Sequence, residues 1–274
     1  MLLANLALAQ YAPAGDKIKT RWAEQVSPES ALPEYPRPMM VRPDWKNLNG
    51  LWQYAITTKG EKAPQRYEGD ILVPFCIESS LSGVQKEVGP DNALWYQKTF
   101  AVPGNWKNGR ILLHFGGVDW MTDVWVNDIK VGSHTGGYTP FTFDITQALK
   151  GKQNNMVVRV WDPTNSSYIP HGKQVINPRG IFYTAVTGIW QTVWLEYVPE
   201  DYIQNLVTTP NFDKATVSVD VEFSNPTKDD LYQVDVTYEG KKVATGKAIN
   251  GQPVEVKCLR TSCAGHPTIL SCTT

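Results

Sequence analysis

The sequence predicts an all-β chain, and three observations carry that expectation. Apolar and polar residues alternate in short runs, turn residues end each run, and almost no segment repeats at the period of a helix. Alternation at period two sends successive side chains to opposite faces of a sheet. Within residues 93–165, Ile111, Leu113 and Phe115 share one face, Val124 and Val126 another, and Val158 and Val160 a third. Asn127-Asp128, between two apolar runs, suits a two-residue hairpin because both residues tolerate positive φ. Gly116-Gly117 and Gly136-Gly137 mark tight turns or close backbone approaches. Strands about 8–12 residues apart with turns between them indicate a sandwich or a barrel.

Taken in order, residues 1–10 form an apolar run closing on Ala7-Leu8-Ala9-Gln10. This reads as the end of a signal peptide with no basic segment before it, and it predicts a periplasmic or secreted protein. Residues 11–43 carry Pro28, Pro33, Pro36, Pro38 and Pro43 and predict an extended arm over the surface, with one helical turn near 20–25. Strands are expected at 51–57, 71–73, 94–100, 110–115, 123–126, 129–133, 142–144, 156–161 and 189–197. Two irregular stretches interrupt them. Residues 74–90 form either an edge of a binding cleft or a long connection across the sandwich. Residues 161–188 hold His171, Lys173, Gln174 and Arg179. Val198-Pro199-Glu200 reads as a linker. A second all-β module follows, with strands at 203–208, 216–223, 231–238, 242–249 and 254–257. These are five of the roughly seven strands of an immunoglobulin-like sandwich, so that module is read as incomplete. Residues 258–274 lose the alternation and read as out-of-frame translation or truncation rather than a closing strand. The expected organisation is therefore 1–43, 44–198, 201–257 and 258–274.

Composition excludes several classes of function. The 274 residues carry 26 basic and 27 acidic side chains, well mixed, with a net charge of −1. That leaves no electrostatic footprint for nucleic acid, and no basic amphipathic stretch or long apolar run suggests a membrane. Ten Trp and twelve Tyr either stack on sugar rings or fill sandwich cores. Cys76 stands alone and reads as a small apolar filler rather than a nucleophile. Cys258, Cys263 and Cys272 match no zinc spacing, so neither a metal nor another cofactor is expected. His114, His134, His171 and His266 have no nucleophile elbow nearby, and the glycine pairs open no helices. Asp119 and Asp123 read as structural acids of a turn and a hairpin edge. Asp162 is different. It ends a strand at the mouth of the longest irregular stretch, beside Trp161. There a carboxylate can accept hydrogen bonds from sugar hydroxyls while an aromatic ring stacks on the sugar. Its structural alternative is an Asx-turn with Pro163.

Three segments add a family resemblance. WYQKTFAVP, RILLHFGGVDWMTDVWVNDIKVGSHTGGYTPFTFDIT and TGIWQTVWLE, in that order, closely resemble the N-terminal sugar-binding domain of glycoside hydrolase family two. That family holds β-galactosidases, β-glucuronidases and β-mannosidases. The resemblance runs from about Val41 to about Val198 and continues more weakly beyond. It implies a jelly-roll (galactose-binding-like) β-sandwich, then an immunoglobulin-like β-sandwich, then a large (β/α)₈ barrel. Family two enzymes carry their two catalytic glutamates at barrel strand ends, and such a barrel takes about 250 residues of alternating strand and helix. This sequence has no such run, so the catalytic glutamates are expected to be absent and the chain inactive alone. The resemblance also implies a role for Asp162, since in β-galactosidases an aspartate at this strand end contacts the non-reducing sugar. The match covers the strand end and the Trp161-Asp162 pair. The loop beyond diverges, which leaves His171, Lys173 and Gln174 as further candidates. The implied partners are a terminal β-linked sugar and the catalytic barrel. The alternative from another class is a stand-alone carbohydrate-binding module, which predicts glycan affinity without a partner.

Overall fold

The structure is a computed structural model and describes residues 11–225, 231–257 and 269–273. The signal-peptide reading, Cys258, Cys263 and His266 lie outside the described residues. The chain divides into two compact units, one of residues 1–36 with 42–197 and one of residues 37–41 with 198–274.

The first unit contains β1 (Trp45–Asn47), β2 (Gly50–Thr58), β3 (Gly69–Val73), β4 (Asn92–Ala101), β5 (Arg110–Phe115), β6 (Val118–Asp119) and β7 (Met121–Val126). It continues through β8 (Ile129–Thr135), β9 (Phe141–Asp144), β10 (Gln153–Trp161), β11 (Gln174–Val175), β12 (Tyr183–Thr184), β13 (Gly188–Ile189) and β14 (Val193–Val198). Six strands form one sheet in the order β3-β2-β4-β10-β7-β8, and four form another in the order β1-β14-β5-β9. Non-consecutive neighbours in both sheets are the mark of a Greek-key or jelly-roll path rather than a simple meander. The β7–β8 hairpin turns at Asn127-Asp128 with φ of 49° and 69°, as a two-residue turn of the primed type requires.

One core fills this unit. Trp52, Leu94, Tyr96, Val124, Met156 and Val158 come from the six-stranded sheet, and Ile111, Leu113, Phe115, Val193 and Leu195 from the four-stranded one. In β10 every second residue is buried, through Met156, Val158 and Val160. Extending that period by one step places Asp162 on the core side and Trp161 on the outer side. β5 departs from simple alternation, since Leu112 and His114 are buried on its second face as well. The proline-rich arm explains this: Tyr35 and Arg42 reach Glu196, which lies on that same outer face beside His114.

The strand expected at 189–197 is two strands. Gly188–Ile189 pairs with β6, and Val193–Val198 joins the four-stranded sheet. Apolar alternation runs straight through Ile189 and Val193, so the pattern hides the change of partner. The helical turn expected near 20–25 is a short 3₁₀ turn, Ala23–Gln25.

The second unit holds β15 (Ile203–Asn211), β16 (Thr216–Phe223), β17 (Leu231–Tyr238), β18 (Lys241–Ile249), β19 (Val254–Lys257) and β20 (Ile269–Thr273). They form two three-stranded sheets, β15-β16-β19 and β18-β17-β20. Val219, Val221, Phe223, Tyr232, Val234, Val236, Val254 and Val256 make its core. Here the sequence reading needs correction. Residues 269–273 are a strand paired antiparallel with β17, so the stretch beyond Lys257 is not wholly without a closing element. Its Ile-Leu-Ser-Cys-Thr sequence lacks apolar alternation, which is why no strand is expected there.

Candidate functional site

The strongest candidate from sequence, Asp162, is buried, with 3 % of its surface exposed. It leaves the core-facing row of β10 and enters a tight turn. Thr164, at φ 48°, donates its backbone N–H to Asp162 Oδ1 at 2.6 Å and its hydroxyl to Oδ2 at 3.0 Å. The first of these bonds closes the Asx-turn that the sequence left as the structural alternative. A third donor comes from across the loop, where the Thr187 hydroxyl meets Oδ2 at 3.1 Å. An ionised carboxylate has about four acceptor positions. After these bonds one remains on Oδ1, so the Asx-turn and a contact to a hydroxylated ligand are compatible.

Asp162 is not alone. Glu78, from the irregular 74–90 stretch, accepts the Thr187 backbone N–H on Oε2 at 2.9 Å and is 2 % exposed. Among the described residues its Oε1 finds no hydrogen-bond partner. Asp119, at the end of β6, is buried against Gly137, where a Cβ would sit 2.6 Å from its carboxylate. Burial, then repulsion from Asp162 and Glu78, pushes Asp119 up to about 7. Burial also pushes Glu78 up to about 7; bonds from Thr187 pull against it and Asp162 adds to it. Asp162 is raised as well, chiefly by burial, with Thr164, Thr187 and the nearby His171 pulling the other way. Among the described residues no grouping of His, Cys, Asp and Glu has the geometry to hold a metal ion. Protonation relieves the repulsion that Glu78 and Asp119 feel from Asp162.

The raised values make stability depend on pH. A carboxyl whose folded value lies above its unfolded one binds its proton more tightly when folded, so its contribution is full below the unfolded value and is lost as pH rises through the folded one. For Glu78 the window runs from 4.5 to about 7. Stability should therefore fall across that window by about 3 kcal/mol from Glu78 alone. Urea midpoints measured from pH 4.5 to 8 should show this slope, and Glu78→Gln should flatten it. An unchanged slope in the variant would refute the assignment. Glu68, Asp123 and Asp144 are shifted down, so their contribution is lost only at more acidic pH.

The other sequence candidates divide. His171 acts electrostatically on Asp162, and among the described residues its buried Nδ1 has no hydrogen-bond partner. Lys173 is exposed, and its carbonyl receives the Tyr183 N–H. Gln174 is half-buried in β11, paired in parallel with Tyr183. Trp161 lies on the outer side of β10. Its Nε1 donates to the Pro90 carbonyl at 2.6 Å, and Lys59 Nζ sits 3.2 Å from its ring centroid. The stacking role read for Trp161 thus meets a ring face already covered by a cation. Tyr138 and Trp190 form an edge-to-face pair instead, with Trp190 Nε1 bonded to the Gly137 carbonyl beside Asp119. Cys76 is half-buried, and burial pushes its thiol up to about 12.

Sequence reasoning missed Glu78, Thr187 and the inclusion of Asp119. By its position Asp119 reads as a structural turn acid, yet it is buried within reach of Asp162. Only the glycines at 116–117 and 136–137 hint that backbones close in around it.

Comparison with known proteins places the fold. The profile of the glycosyl hydrolases family 2 sugar binding domain matches residues 45–199. A β-glucuronidase of Paenibacillus borealis is 25 % identical over 239 residues, covering 79 % of this chain and 40 % of the relative. A β-galactosidase of Thermoanaerobacter pseudethanolicus is 32 % identical over 156 residues, covering 57 % of this chain and 19 % of the relative. The crystal structure of Ruminococcus gnavus β-glucuronidase superposes with a TM-score of 0.61 at 22 % identity, covering 83 % of this chain and 41 % of that one. The chain thus spans at most about 40 % of the curated relatives named here. Because the matched profile covers more than half of the chain, including both sheets of the first unit, the chain belongs to glycosyl hydrolase family 2 through its sugar binding domain.

Proposed function

We propose that this chain is the N-terminal, non-catalytic portion of a retaining glycoside hydrolase of the β-galactosidase type, acting on terminal β-linked sugars in carbohydrate metabolism. In this reading the first unit supplies one wall of the sugar pocket and supports a catalytic barrel. Asp162 carries the reading. It stands at a strand end with three donors fixing it and one acceptor position on Oδ1 left for a sugar hydroxyl. The two carboxylates of a retaining glycosidase must flank one glycosidic bond about 5 Å apart on the same site. In this reading that pair lies at the strand ends of the barrel, and Glu78 is tied instead to the Thr187 backbone.

Two measurements test this reading. The purified chain should hydrolyse neither nitrophenyl β-galactoside nor nitrophenyl β-glucuronide; turnover of either would overturn the non-catalytic assignment. In the complete enzyme, Asp162→Ala should lower kcat/KM roughly 10–100-fold, the value of a charge-assisted hydrogen bond to substrate. Unchanged kcat/KM on every sugar cleaved would remove Asp162 from the pocket.

A further inference from the structure

Glu78 and Asp162 stand far apart in sequence, yet two hydrogen bonds through one residue join them. The Thr187 backbone N–H donates to Glu78 Oε2 at 2.9 Å, and the Thr187 hydroxyl donates to Asp162 Oδ2 at 3.1 Å. All three residues are buried. Thr187 lies between β12 and β13 and belongs to neither strand. No ladder bond therefore satisfies its N–H, and a buried N–H needs an acceptor. Glu78 provides one. Glu78 is itself anchored: Ser79 caps the 3₁₀ turn Ser80–Ser82 that follows it, and Lys17 of the arm donates from Nζ to the Glu78 carbonyl at 3.0 Å. Thr164 grips Asp162 only from within the same turn. Thr187 is the contact that ties Asp162 to a separate part of the fold.

We propose that Glu78 is a positioning residue for Asp162: it holds the Thr187 backbone so that the Thr187 hydroxyl fixes the orientation of the Asp162 carboxylate. This rests on the reading of Asp162 as a sugar contact. Simple packing does not account for Glu78. An apolar side chain of similar volume would fill the space without burying an acid, and it would not leave Oε1 bare among the described residues. The groups facing Glu78 are also unfavourable to a charge kept for its own sake. Asp162, Asp119, Cys76 and Tyr96 all interact with it electrostatically, while Lys17 touches only its main chain.

The test follows the Asp162 titration by carbon-13 NMR of the side-chain carboxyl groups in the 274-residue chain. Glu78→Ala and Glu78→Gln both remove the charge, but only glutamine keeps an oxygen for the Thr187 N–H. The Asp162 midpoint should lie higher in Glu78→Ala than in Glu78→Gln, by about half a pH unit or more, because the Thr187 hydroxyl bond to the carboxylate is loosened. Thr187→Val should raise it similarly, and Thr187→Ser should not. This second pair decides the matter if Glu78→Ala fails to fold. Equal midpoints within the pairs that fold overturn the proposal. In the complete enzyme, Thr187→Val should raise KM roughly fivefold with kcat held, and Thr187→Ser should restore it. The sugar-contact reading fails separately: Asp162→Ala with unchanged kcat/KM would remove that reading, and the midpoints would still decide whether Glu78 positions Asp162.

Discussion

Gly188→Ala is expected to destabilise the chain by about 4 kcal/mol, combining backbone strain with overpacking in a closed core. Gly188 has φ 93°, where L side chains are strained, and it pairs with Asp119 at the floor of the candidate site. A Cβ there would collide with the Tyr96 hydroxyl and lie 2.9 Å from Leu94 Cδ2. Neither neighbour can retreat. Tyr96 and Leu94 are both fully buried, and the Tyr96 oxygen accepts the Ile189 N–H at 3.2 Å. The shift in urea midpoint at constant slope measures the loss. Tyr96→Phe in the Gly188→Ala background separates the two causes. It removes the atom in collision, so it should recover part of the overpacking but not the Leu94 contact or the strain, although Tyr96→Phe alone costs about 1 kcal/mol by stranding the Ile189 N–H. A Gly188→Ala variant within about 1 kcal/mol of the parent would mean that this floor is softer than its packing implies.

The same residues show what a sequence can and cannot display. Period-two alternation located most of the strands of both units because one face of those strands is buried, and burial selects apolar side chains at every second position. Asn127-Asp128 was legible for an equally local reason, since positive φ is written in residue type. Asp162 could be singled out because it ends a strand and precedes a proline. Glu78 could not. Its meaning depends on Thr187, which lies 109 positions away, and nothing in Ile77-Glu78-Ser79 signals that the chain will return there. Asp119 misleads for a related reason. An acid next to a turn is usually solvated, and only the packed structure places Gly137 and Asp162 against it. Trp161 is a converse case. Adjacency to Asp162 suggested a shared site, but neighbours in a strand face opposite ways, and the ring lies under Lys59 instead.

Glu196→Ala should be similarly severe, at about 3–5 kcal/mol, because it removes one side of a buried charge pair and leaves the other behind. In the alternation of β14, Val193, Leu195 and Tyr197 share one face, so Glu196 and Trp194 stand on the other, where solvent would be expected. Glu196 is instead fully buried. Arg42 Nε donates to its Oε2 at 2.8 Å, Trp194 Nε1 donates to its Oε1 at 2.9 Å, and the Tyr35 hydroxyl also donates to Oε1. His114 Nε2 lies 3.2 Å from Oε2, and its ring stacks on Trp194. Through Tyr35 and Arg42 this carboxylate holds the C-terminal end of the proline-rich arm against the four-stranded sheet. Alanine would take that acceptor away from the Arg42 guanidinium and from two further donors. Arg42→Gln should cost less, since Tyr35 and Trp194 would still find the Glu196 oxygens. Glu196→Gln, which keeps the volume and one acceptor oxygen, should fall between Glu196→Ala and the parent. Urea midpoints give the order of the three variants. Limited proteolysis should cut near Tyr35 and Arg42 faster in Glu196→Ala than in the parent, because that part of the arm loses its shared acceptor. Equal cutting rates, or a Glu196→Ala midpoint matching the parent's, would show that other contacts hold the arm and that the buried carboxylate is dispensable.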